Sequence, residues 1–564
     1  MKILGVHIGH DSSASLVIDG KICADVAEER FNRIKHYCGL PIKSIEYCLK
    51  SNNLNISDID IIAVPSKGSI PELNFLFDLK GNMKEQKSKT GQMFEFARRI
   101  TKKSGIKPPI YIKNFPISSS VQILHVEHHL AHAASAYYSS GIKDRQLIIT
   151  MDGAGDNTSI GLWMGENGRI KQLKKFNTSA SLGWFYSIVT EALGWWHGDG
   201  EGKTMGLAPY GDFKKCKGVL DKYYPKFCNG ELIEPYDFSN SYVWNDNGAI
   251  QFHYEQAYEV RKLINQYGKA NIAAEAQRIL EEQTFEIVFP WMKHEETNNL
   301  TCSGGVFLNV KLNQRIWDSG KVINHHIFPN AGDSGLAAGE ALYAYYMNNP
   351  EAEINSIDNL YWGPEYDDKE IEDVLKLRNL KAKKIGDVEK FTAKKLSENK
   401  IIGWFQGRME SGPRALGNRS ILMSANMKEN KDIINARVKF REPFRPFCPS
   451  LLWEKKEDYL FNARDEHFMI TYFTCKKEKW GKVPAVVHED HTLRPQTIKR
   501  SYNEKYWNLI NEFGKITGEY LLLNTSFNIM GEPIINHPRE AIRCFYDNGL
   551  DILVLNDYIL EKKI

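Results

Sequence analysis

The sequence predicts an α/β protein, α+β overall, with two domains, the first of which contains a duplicated strand–turn–strand unit. A chain of 564 residues is too long for a single hydrophobic core, so two or more domains are expected. Residues 2–27 and 146–170 share one layout, in which an apolar strand leads to an aspartate in a tight turn and a second strand follows. Beyond about residue 360 the segments become dense in arginine, which indicates a second domain of different character.

The duplicated unit favours the fold of actin, Hsp70 and the sugar kinases. In that fold, two strands place carboxylates in turns on opposite sides of a cleft that binds nucleotide phosphates. Two unrelated hairpins would give a similar pattern, and the layout alone separates these alternatives only weakly. Helical periodicity then runs from Lys269 to Met292, and the polar, turn-rich stretch from Asn348 to Asp368 divides the chain into predicted domains 1–355 and 356–564.

A histidine-rich motif, "HVEHHLAHAASAYY" at 125–138, follows an apolar run that predicts a strand ending near His125. A helix that begins near Glu127 would place His128 and His132 four residues apart on one face. Two imidazoles one turn apart can bind a divalent metal. A solvated or core-packed pair is the more frequent outcome of this spacing alone, so a metal site needs further ligands.

Asp152 and Asp333 are the candidates for those further ligands. Asp152 ends the predicted strand "LIITMD", and Asp333 lies in the glycine-flanked turn "NAGDSG". Two histidines and two aspartates suit iron, zinc or manganese and leave positions open for phosphate or substrate oxygens. Aspartates at strand ends also commonly cap turns, and the sequence leaves that alternative open.

Two glycine-rich segments have the flexibility to approach a ligand closely. Ser303, Gly304 and Gly305 lie between a short predicted strand and a helix-like segment, where backbone N–H groups can reach a phosphate or a base. The segment "GWWHGDGEGKTMGLAPYG" at 194–211 includes Lys203 among its glycines. Either segment could equally be a structural loop that requires glycine.

The second predicted domain carries cationic residues in segments marked by glycine or proline: Arg408, Arg414, Arg419, Lys439, Arg441, Arg445 and Arg494. Arginine binds phosphate bidentately. The alternatives are a solvated basic face and a nucleic-acid groove. These arginines lie among apolar and turn residues, and they lack the interleaved exposed aromatic residues of a strand-binding groove. We therefore predict a partly buried pocket for a small phosphate compound.

Composition narrows the function classes and the location. Lysine and arginine total 73 against 70 acidic residues, a formal net charge of +3, which gives no argument for nucleic acid or an anionic membrane. No apolar run approaches the roughly 20 residues of a membrane span, and the N-terminus lacks the pattern of a signal peptide. Nine dispersed cysteines without a CxxC pair indicate reduced thiols, and we expect a cytoplasmic protein.

Seven segments together indicate a resemblance. They are "GHDSSASLVIDG", "EHHLAHAASAYY", "TMDGAGD", "KTMGLAPYG", "SGGVFLNVKLN", "NAGDSGLAAG" and "GRMESGPRALGNRSIL" with the later "VKFREPFRPFCPS". In this order, over nearly the whole chain, they resemble the NodU/CmcH carbamoyltransferases, which carbamoylate hydroxyls of antibiotics, toxins and nodulation factors. The resemblance implies an N-terminal actin-like ATPase domain similar to the tRNA threonylcarbamoyl transferase TsaD, and a smaller YrdC-like α/β domain. The same pair occurs in the hydrogenase maturation protein HypF.

The resemblance also implies a reaction and its ligands. Carbamoyl phosphate and ATP would give carbamoyladenylate, and the carbamoyl group would then pass to a hydroxyl of a small-molecule acceptor with release of AMP. A divalent metal is implied, iron first, with zinc or manganese as alternatives, and Mg²⁺ would accompany ATP. No nucleic-acid or membrane partner is expected, and the oligomeric state is left open, a homodimer being one option.

Positions in the matching motifs imply the site residues. The metal ligands would be His128, His132, Asp152 and Asp333; the nucleotide site Lys203, Gly206, Ser303, Gly304, Gly305 and Asn309; the carbamoyl-phosphate site Arg414, Arg419, Lys439, Arg445 and Arg494; and the transfer site His10 and Asp11. His10 is the first candidate for the general base. Two departures from the family pattern, Ser411 in "RMES" and the loop "DGEGKT", bear on local geometry and acceptor choice.

Two rival functions remain at this stage. A TsaD-like protein that modifies RNA would bind RNA through the second domain, which the near-neutral charge disfavours. A non-catalytic ATP-binding regulator of the actin-like type is disfavoured by the intact metal and arginine sets. The sequence names neither the acceptor nor the metal.

Overall fold

Two five-stranded sheets form the first part of the chain. In this computed structural model, which describes residues 1–66, 115, 117, 120–238, 243–244, 250–251 and 253–562, the strands of that part are β1 (Lys2–His7), β2 (Ser13–Ile18), β3 (Lys21–Ala27), β4 (Ile61–Pro65), β5 (Gln122–Val126), β6 (Gln146–Gly155), β7 (Thr158–Glu166), β8 (Arg169–Asn177), β9 (Lys226–Cys228), β10 (Glu231–Glu234), β11 (Val243–Trp244), β12 (Ile250–Gln251), β13 (Asn299–Ser303) and β14 (Asn324–Ile327). The helices are α1 (Glu29–Asn32), α2 (Ile42–Lys50), α3 (His128–Tyr137), α4 (Leu182–Ala192), α5 (Glu201–Leu207), α6 (Tyr254–Tyr267), α7 (Lys269–His294), α8 (Val310–Asp318) and α9 (Leu336–Asn348).

The two sheets have the same strand order and the same strand directions. The first has the order β3-β2-β1-β4-β5, and the second has the order β8-β7-β6-β13-β14. In each sheet the first three strands pair antiparallel with their neighbours, and the last two run parallel to the central strand. This repeat confirms the predicted duplicated, actin-like fold. The turns that follow β1 and β6 therefore occupy equivalent positions at the carboxyl ends of central strands, where open α/β sheets bind ligands.

Two helices rich in small residues pack between the sheets. Helices α3 and α9 contact each other, while α9 also packs on β1 and α3 packs on β6. A Cβ on Gly339 would lie 2.0 Å from the carbonyl oxygen of Ala131, and one on Gly5 would lie 1.9 Å from that of Ala337. Glycine is therefore required at both positions, because the helices approach each other and the sheet too closely for a side chain.

An eight-stranded sheet organises the arginine-rich part of the chain. Its region contains β15 (Lys383–Lys384), β16 (Ile402–Phe405), β17 (Arg419–Ser424), β18 (Cys448–Leu452), β19 (Phe473–Thr474), β20 (Thr492–Leu493), β21 (Gln496–Ile498), β22 (Leu521–Ser526), β23 (Ile552–Leu555) and β24 (Tyr558–Glu561). The helices are α10 (Asp368–Leu377), α11 (Val388–Ser397), α12 (Glu429–Ile434), α13 (Lys456–Tyr459), α14 (Glu504–Thr517) and α15 (Pro538–Asp547). The sheet order is β15-β24-β23-β16-β17-β22-β18-β21.

Alternating side chains bury both faces of this sheet. Trp404 and Leu522 belong to one apolar cluster, and their chain neighbours Phe405 and Leu523 belong to another. Successive residues of a strand point to opposite faces, so apolar residues at both positions require cover on both sides.

The domain boundary at 355/356 stays a prediction. Among the described residues, no helix combines the length and the apolar character that crossing a membrane requires.

Candidate active site

One cavity joins the turns of the duplicated sheets to the arginine-rich region. Its volume is about 700 Å³. Its walls come from segments 10–36, 152–206, 305–334, 412–448 and 469–534. The predicted metal, transfer and phosphate sites each contribute residues to this single space.

The four predicted metal ligands meet at one side of the cavity. Strand β5 ends and α3 begins where the sequence predicted, so His128 and His132 share one helix face. Nε2 of His132 lies 3.2 Å from Oδ2 of Asp152 and 3.6 Å from Oδ1 of Asp333. Nε2 of His128 lies 3.9 and 3.8 Å from the same two oxygens. One atom from each residue lies within 4.8 Å of the others, a spacing that one cation could bridge.

His128, His132, Asp152 and Asp333 are named here the metal-type cluster, and their surroundings fit a divalent cation. Nε2 of His128 is buried and has no hydrogen-bond partner within the part of the chain that the structure describes. Nδ1 of His132 lies 3.2 Å from Oγ of Ser303, which fixes the orientation of the ring. Two imidazoles and two carboxylates form a donor set suited to iron, zinc or manganese. The residues therefore fit a metal and do not select among these three.

The charges of the metal-type cluster depend on which of its imidazoles and carboxylates carry protons. Burial disfavours the imidazolium of His128, but Asp333 and Asp152 outweigh burial and raise the pKa of His128 to about 9. Burial also disfavours the carboxylate of Asp152, yet its close contacts with His128 and His132 hold the pKa of Asp152 well below its usual range. Because a metal ligand must be a neutral imidazole, a bound cation would displace the proton from His128.

The turn after β1 presents His10 and Asp11 to the cavity. Asp11 has a left-handed φ of 57°, and its Oδ2 lies 2.8 Å from Nδ1 of His10. Its Oδ1 lies 2.8 Å from Nδ1 of His36. The sequence analysis missed His36, because its position in "RIKH" has neither the spacing of a metal motif nor a nearby nucleophile.

The predicted nucleotide residues divide into two groups. Lys203, Gly206, Gly305 and Asn309 line the cavity. Ser303 is fully buried beside His132, and Gly304 is enclosed by backbone, because a Cβ there would lie 2.2 Å from the carbonyl oxygen of Met151. The φ of Gly304 is 101°, which also favours glycine. Within the described residues, Ser303 thus supports the metal-type cluster and Gly304 allows the chain to turn beside it.

Four arginines, named here the arginine cluster, line the same cavity. They are Arg414, Arg441, Arg445 and Arg494. The sequence analysis placed Arg441 in the cationic set but not among the phosphate residues. Burial, and then the charge of Arg494, lowers the pKa of Arg414 to about 9. A bound anion would relieve this repulsion, so the cluster favours a negatively charged ligand.

Buried side chains orient the arginine cluster. Oε1 of Glu410 accepts the backbone N–H groups of Leu416 and Asn418, both at 2.7 Å, and so fixes the loop that carries Arg414. Nε and Nη2 of Arg494 lie 2.9 and 2.7 Å from Sγ of Cys448. The sequence gives no local signal for either contact. Arg494 and Cys448 belong to different segments, and Glu410 accepts from several backbone N–H groups at once.

Two of the predicted carbamoyl-phosphate residues, Arg419 and Lys439, donate hydrogen bonds to groups of the protein itself. Arg419 is fully buried and, among the described residues, is absent from the cavity lining; its Nη1 donates to the carbonyl oxygen of Gln406 at 2.6 Å and to neighbouring carbonyls. Lys439 does line the cavity, but its Nζ donates to the carbonyl oxygen of Ser526 at 2.5 Å and to Oδ1 of Asn528 at 2.7 Å. Since protein acceptors already hold these donors, the geometry gives Arg419 a role inside the fold and Lys439 a role in building the cavity wall.

Both parts of the chain match models of one protein family. Residues 2–342 match the model described as Carbamoyltransferase N-terminus, and residues 393–562 match Carbamoyltransferase C-terminus. The chain belongs to the carbamoyltransferase family. The resemblance inferred from the motifs is confirmed, and the protein is a carbamoyl-transferring enzyme.

Relatives of this carbamoyltransferase include proteins with nodulation names. Nodulation protein NolNO of Sinorhizobium fredii is 34% identical over 98% of this chain and 79% of its own length. Nodulation protein NolO of Bradyrhizobium diazoefficiens is 34% identical over 78% of this chain and 79% of its own length. The solved structure of full-length HypF in the phosphate- and nucleotide-bound form is 14% identical, covers 63% of this chain and 56% of its own, and has a TM-score of 0.31.

Proposed function

We propose that this carbamoyltransferase makes carbamoyladenylate from carbamoyl phosphate and ATP and transfers the carbamoyl group to a hydroxyl of a small acceptor, such as a secondary metabolite or sugar-like compound. The observation that carries the proposal is the single cavity, to which the arginine cluster and the metal-type cluster both contribute residues. A shared cavity lets an activated intermediate reach the second site without release into water, where it would hydrolyse.

The arginine cluster is the proposed site of the first step. Arg414, Arg445 and Arg494 offer paired N–H donors for the phosphate of carbamoyl phosphate. Water cleaves carbamoyl phosphate to carbamate and inorganic phosphate. A carbamate oxygen then attacks the α-phosphorus of ATP, the bond to the β-phosphate breaks, and carbamoyladenylate and pyrophosphate form. Activation as an adenylate divides one difficult transfer into two easier ones, because AMP is a good leaving group.

The metal-type cluster is the proposed second site. His128, His132, Asp152 and Asp333 would hold the divalent metal, which when bound supplies Lewis-acid polarisation of a phosphate oxygen. The backbone N–H of Gly305 lies 3.3 Å from Oδ2 of Asp152, which helps to keep that carboxylate in place.

His10 is the proposed general base of the transfer. Its Nδ1 is bonded to Asp11, which leaves Nε2 as the ring nitrogen that can accept a proton. The acceptor oxygen attacks the carbonyl carbon of carbamoyladenylate, the bond from that carbon to the AMP oxygen breaks, and the hydroxyl proton passes to His10. Asp11 stabilises the imidazolium that results.

Product analysis tests the proposal directly. Purified enzyme is incubated with ATP, Mg²⁺, carbamoyl phosphate and a panel of hydroxylated sugars and metabolites. We expect pyrophosphate and AMP to appear only when carbamoyl phosphate is present, and mass spectrometry to find an acceptor that has gained one carbamoyl group. AMP release that requires RNA would support the RNA-modifying alternative and contradict the proposal. ATP binding with no pyrophosphate release would support the regulator instead.

A further inference from the structure

A chain of alternating charges lies in the cavity wall beside the transfer turn. It runs from His10 through Asp11, His36 and Asp199 to Lys35, and all five residues line the cavity. Asp11 belongs to the turn after β1, His36 and Lys35 to the segment that follows α1, and Asp199 to the glycine-rich loop before α5. Three segments that are distant in sequence are therefore joined at one place.

Asp11 is the centre of this chain, because each of its carboxylate oxygens has its own histidine. Oδ2 lies 2.8 Å from Nδ1 of His10, and Oδ1 lies 2.8 Å from Nδ1 of His36. The two imidazole rings stack with centroids 5.3 Å apart and planes 13° from parallel. A carboxylate accepts hydrogen bonds, so both Nδ1 atoms carry protons and Nε2 of His10 is left for the cavity.

The backbone holds the chain of charges in place at a cost in strain. Asp11 and His36 both have left-handed φ values, 57° and 54°, a conformation that strains residues other than glycine, although asparagine tolerates it better than most. The backbone N–H of His36 donates to Oε2 of Glu29 at 2.9 Å. Strain of this kind persists where surrounding contacts fix the geometry, and it concentrates at functional positions.

The far side of His36 is held by the glycine-rich loop. Nε2 of His36 lies 3.9 Å from Oδ1 of Asp199, and Lys35 forms an ion pair with the same oxygen. His36 therefore lies between two carboxylates, one from the transfer turn and one from the loop. Burial opposes its charge, yet Asp11 and Asp199 outweigh burial and raise the pKa of His36 to about 10, so it is cationic at neutral pH.

We propose that His36 and Asp199 are positioning residues for carbamoyl transfer, which hold Asp11 so that Asp11 fixes the ring of His10 with Nε2 facing the acceptor hydroxyl. The inference rests on the proposed function, in which His10 takes the proton from that hydroxyl. It also gives a role to the glycine-rich loop, which brings Asp199 to the wall of the cavity: Gly198 has a left-handed φ of 77°, and a Cβ on Gly200 would lie 2.6 Å from the carbonyl oxygen of Trp196.

The charged groups that face His10 set the direction of one test. They are Asp11, Asp333 and His36. The hydrogen bond with Asp11 raises the pKa of His10, while the cationic His36 opposes that increase. Removal of His36 therefore raises the pKa of His10 further, and the base becomes active only at higher pH.

The variants His36→Gly and His36→Asn separate positioning from folding. Both residue types accept a left-handed backbone, but the amide nitrogen of asparagine can replace the Nδ1 donor to Asp11, whereas glycine offers no donor. With carbamoyladenylate supplied and glycerol as the hydroxyl probe, we expect His36→Gly to lower carbamoyl transfer by about ten- to hundredfold. We expect His36→Asn to retain most of the rate. Pyrophosphate release from ATP and carbamoyl phosphate should change little in either variant.

The pH dependence of carbamoyl transfer distinguishes a positioning role from a structural defect, because a structural defect would not shift it. In His36→Gly, the pH at which transfer reaches half its maximum should rise, with an unchanged melting temperature relative to His36→Asn. Equal losses in the two variants, or a parallel fall in pyrophosphate release, would overturn the proposal. The variant Asp199→Asn should show a smaller loss of the same kind, and no loss would remove Asp199 from the assignment.

Two further measurements keep this inference separate from the proposed function. In enzyme labelled with ¹⁵N-histidine, the ring signal of His10, assigned by its loss in His10→Gln, should show a protonated Nδ1 that changes in His36→Gly. That result stands even if the wild-type enzyme transfers no carbamoyl group. A second equivalent of bound Zn²⁺ that disappears in His36→Gly would instead identify His10, Asp11 and His36 as metal ligands and overturn the assignment.

Discussion

The metal-type cluster and the arginine cluster contribute residues to one cavity, but the contacts within each cluster differ. In the metal-type cluster each histidine lies within 3.9 Å of two carboxylates, so the groups attract one another before any ligand arrives. In the arginine cluster the neighbours repel, and burial lowers the pKa of both Arg414 and Arg441 to about 9. Attraction between its own side chains assembles the metal-type cluster, whereas the surrounding structure holds the arginine cluster in place.

This difference predicts different consequences for substitution. Removal of one member of the metal-type cluster leaves a buried charge without its partner, which is costly. Removal of one arginine relieves repulsion among the remaining ones, so it should impair ligand binding without loss of stability. Substitutions in the arginine cluster should therefore lower activity without lowering stability, whereas substitutions in the metal-type cluster should lower both.

Substitution of a metal ligand should have the largest effect. We expect the purified enzyme to carry about one divalent metal per chain and the variants His128→Ala and Asp333→Ala to lose it together with carbamoyl transfer, because each residue supplies part of the donor set. Elemental analysis after gel filtration measures the metal. The matched control is His125→Ala, since His125 lies in β5 and its Nδ1 contacts the carbonyl oxygen of Pro65. Full metal content in both ligand variants would show that the cluster is not the site.

Substitution of an arginine should have the next largest effect. Loss of a bidentate, charge-assisted contact costs about 1.5–3 kcal/mol, and each 1.4 kcal/mol is about tenfold. Arg494→Ala or Arg445→Ala should therefore weaken the use of carbamoyl phosphate by about one to two decades at an unchanged or higher melting temperature. Pyrophosphate release as a function of carbamoyl-phosphate concentration measures this, and transfer from supplied carbamoyladenylate should persist.

Arg419→Met is the matched control for the arginine variants. Arg419 donates to backbone carbonyls inside the protein, so its loss leaves buried acceptors unsatisfied and should lower stability by about 3 kcal/mol. The concentration dependence on carbamoyl phosphate should stay unchanged in the folded fraction. A selective defect in carbamoyl-phosphate use by Arg419→Met, with normal stability, would return Arg419 to the phosphate site.

Metal binding should depend on pH with a predictable sign. The pKa of His128 is raised to about 9 in the metal-free protein, so a cation competes with a proton at neutral pH. The apparent affinity should fall about tenfold for each unit that pH decreases below about 9. Isothermal titration with Zn²⁺ between about pH 6 and about pH 8, where Zn²⁺ stays soluble, measures the slope. A flat profile would mean that His128 is neutral before the metal binds.

Asp25 offers the smallest and most local test, because it contacts the segment that carries Arg414. Ser411, at the start of the loop that carries Arg414, donates to the carboxylate of Asp25. Burial raises the pKa of Asp25 to about 6, so the folded chain holds a proton that the unfolded chain releases at about pH 4. The contribution of Asp25 to stability therefore falls as pH rises from about 4 to about 6 and stays low above it.

Asp25→Asn should remove that pH dependence, because asparagine keeps an acceptor for Ser411 and cannot ionise. We expect stability at pH 7 to rise by at most about 3 kcal/mol, seen as a higher melting temperature, with little change at pH 4. A lower melting temperature at pH 7 would show that the carboxylate itself is required at this contact.

Much of the architecture follows from patterns that act over short distances. The strand–turn–strand layout predicted the duplication, and a spacing of four residues predicted the shared face of His128 and His132. These features depend on the periods of helices and strands, which neighbouring residues determine by themselves. The sheet orders, by contrast, required the structure, since pairing joins strands such as β6 and β13 that are far apart in the chain.

The tertiary structure decided which members of each motif face the cavity. Arg414 and Arg419 lie five residues apart in one motif, yet the first lines the cavity and the second is fully buried. Likewise, His36 meets Asp11 and Asp199 only because three segments pack at one wall. The sequence by itself determined which chemical groups are present and how they repeat along each element. Their direction depended on packing between distant segments, where burial and hydrogen-bond satisfaction leave only one arrangement.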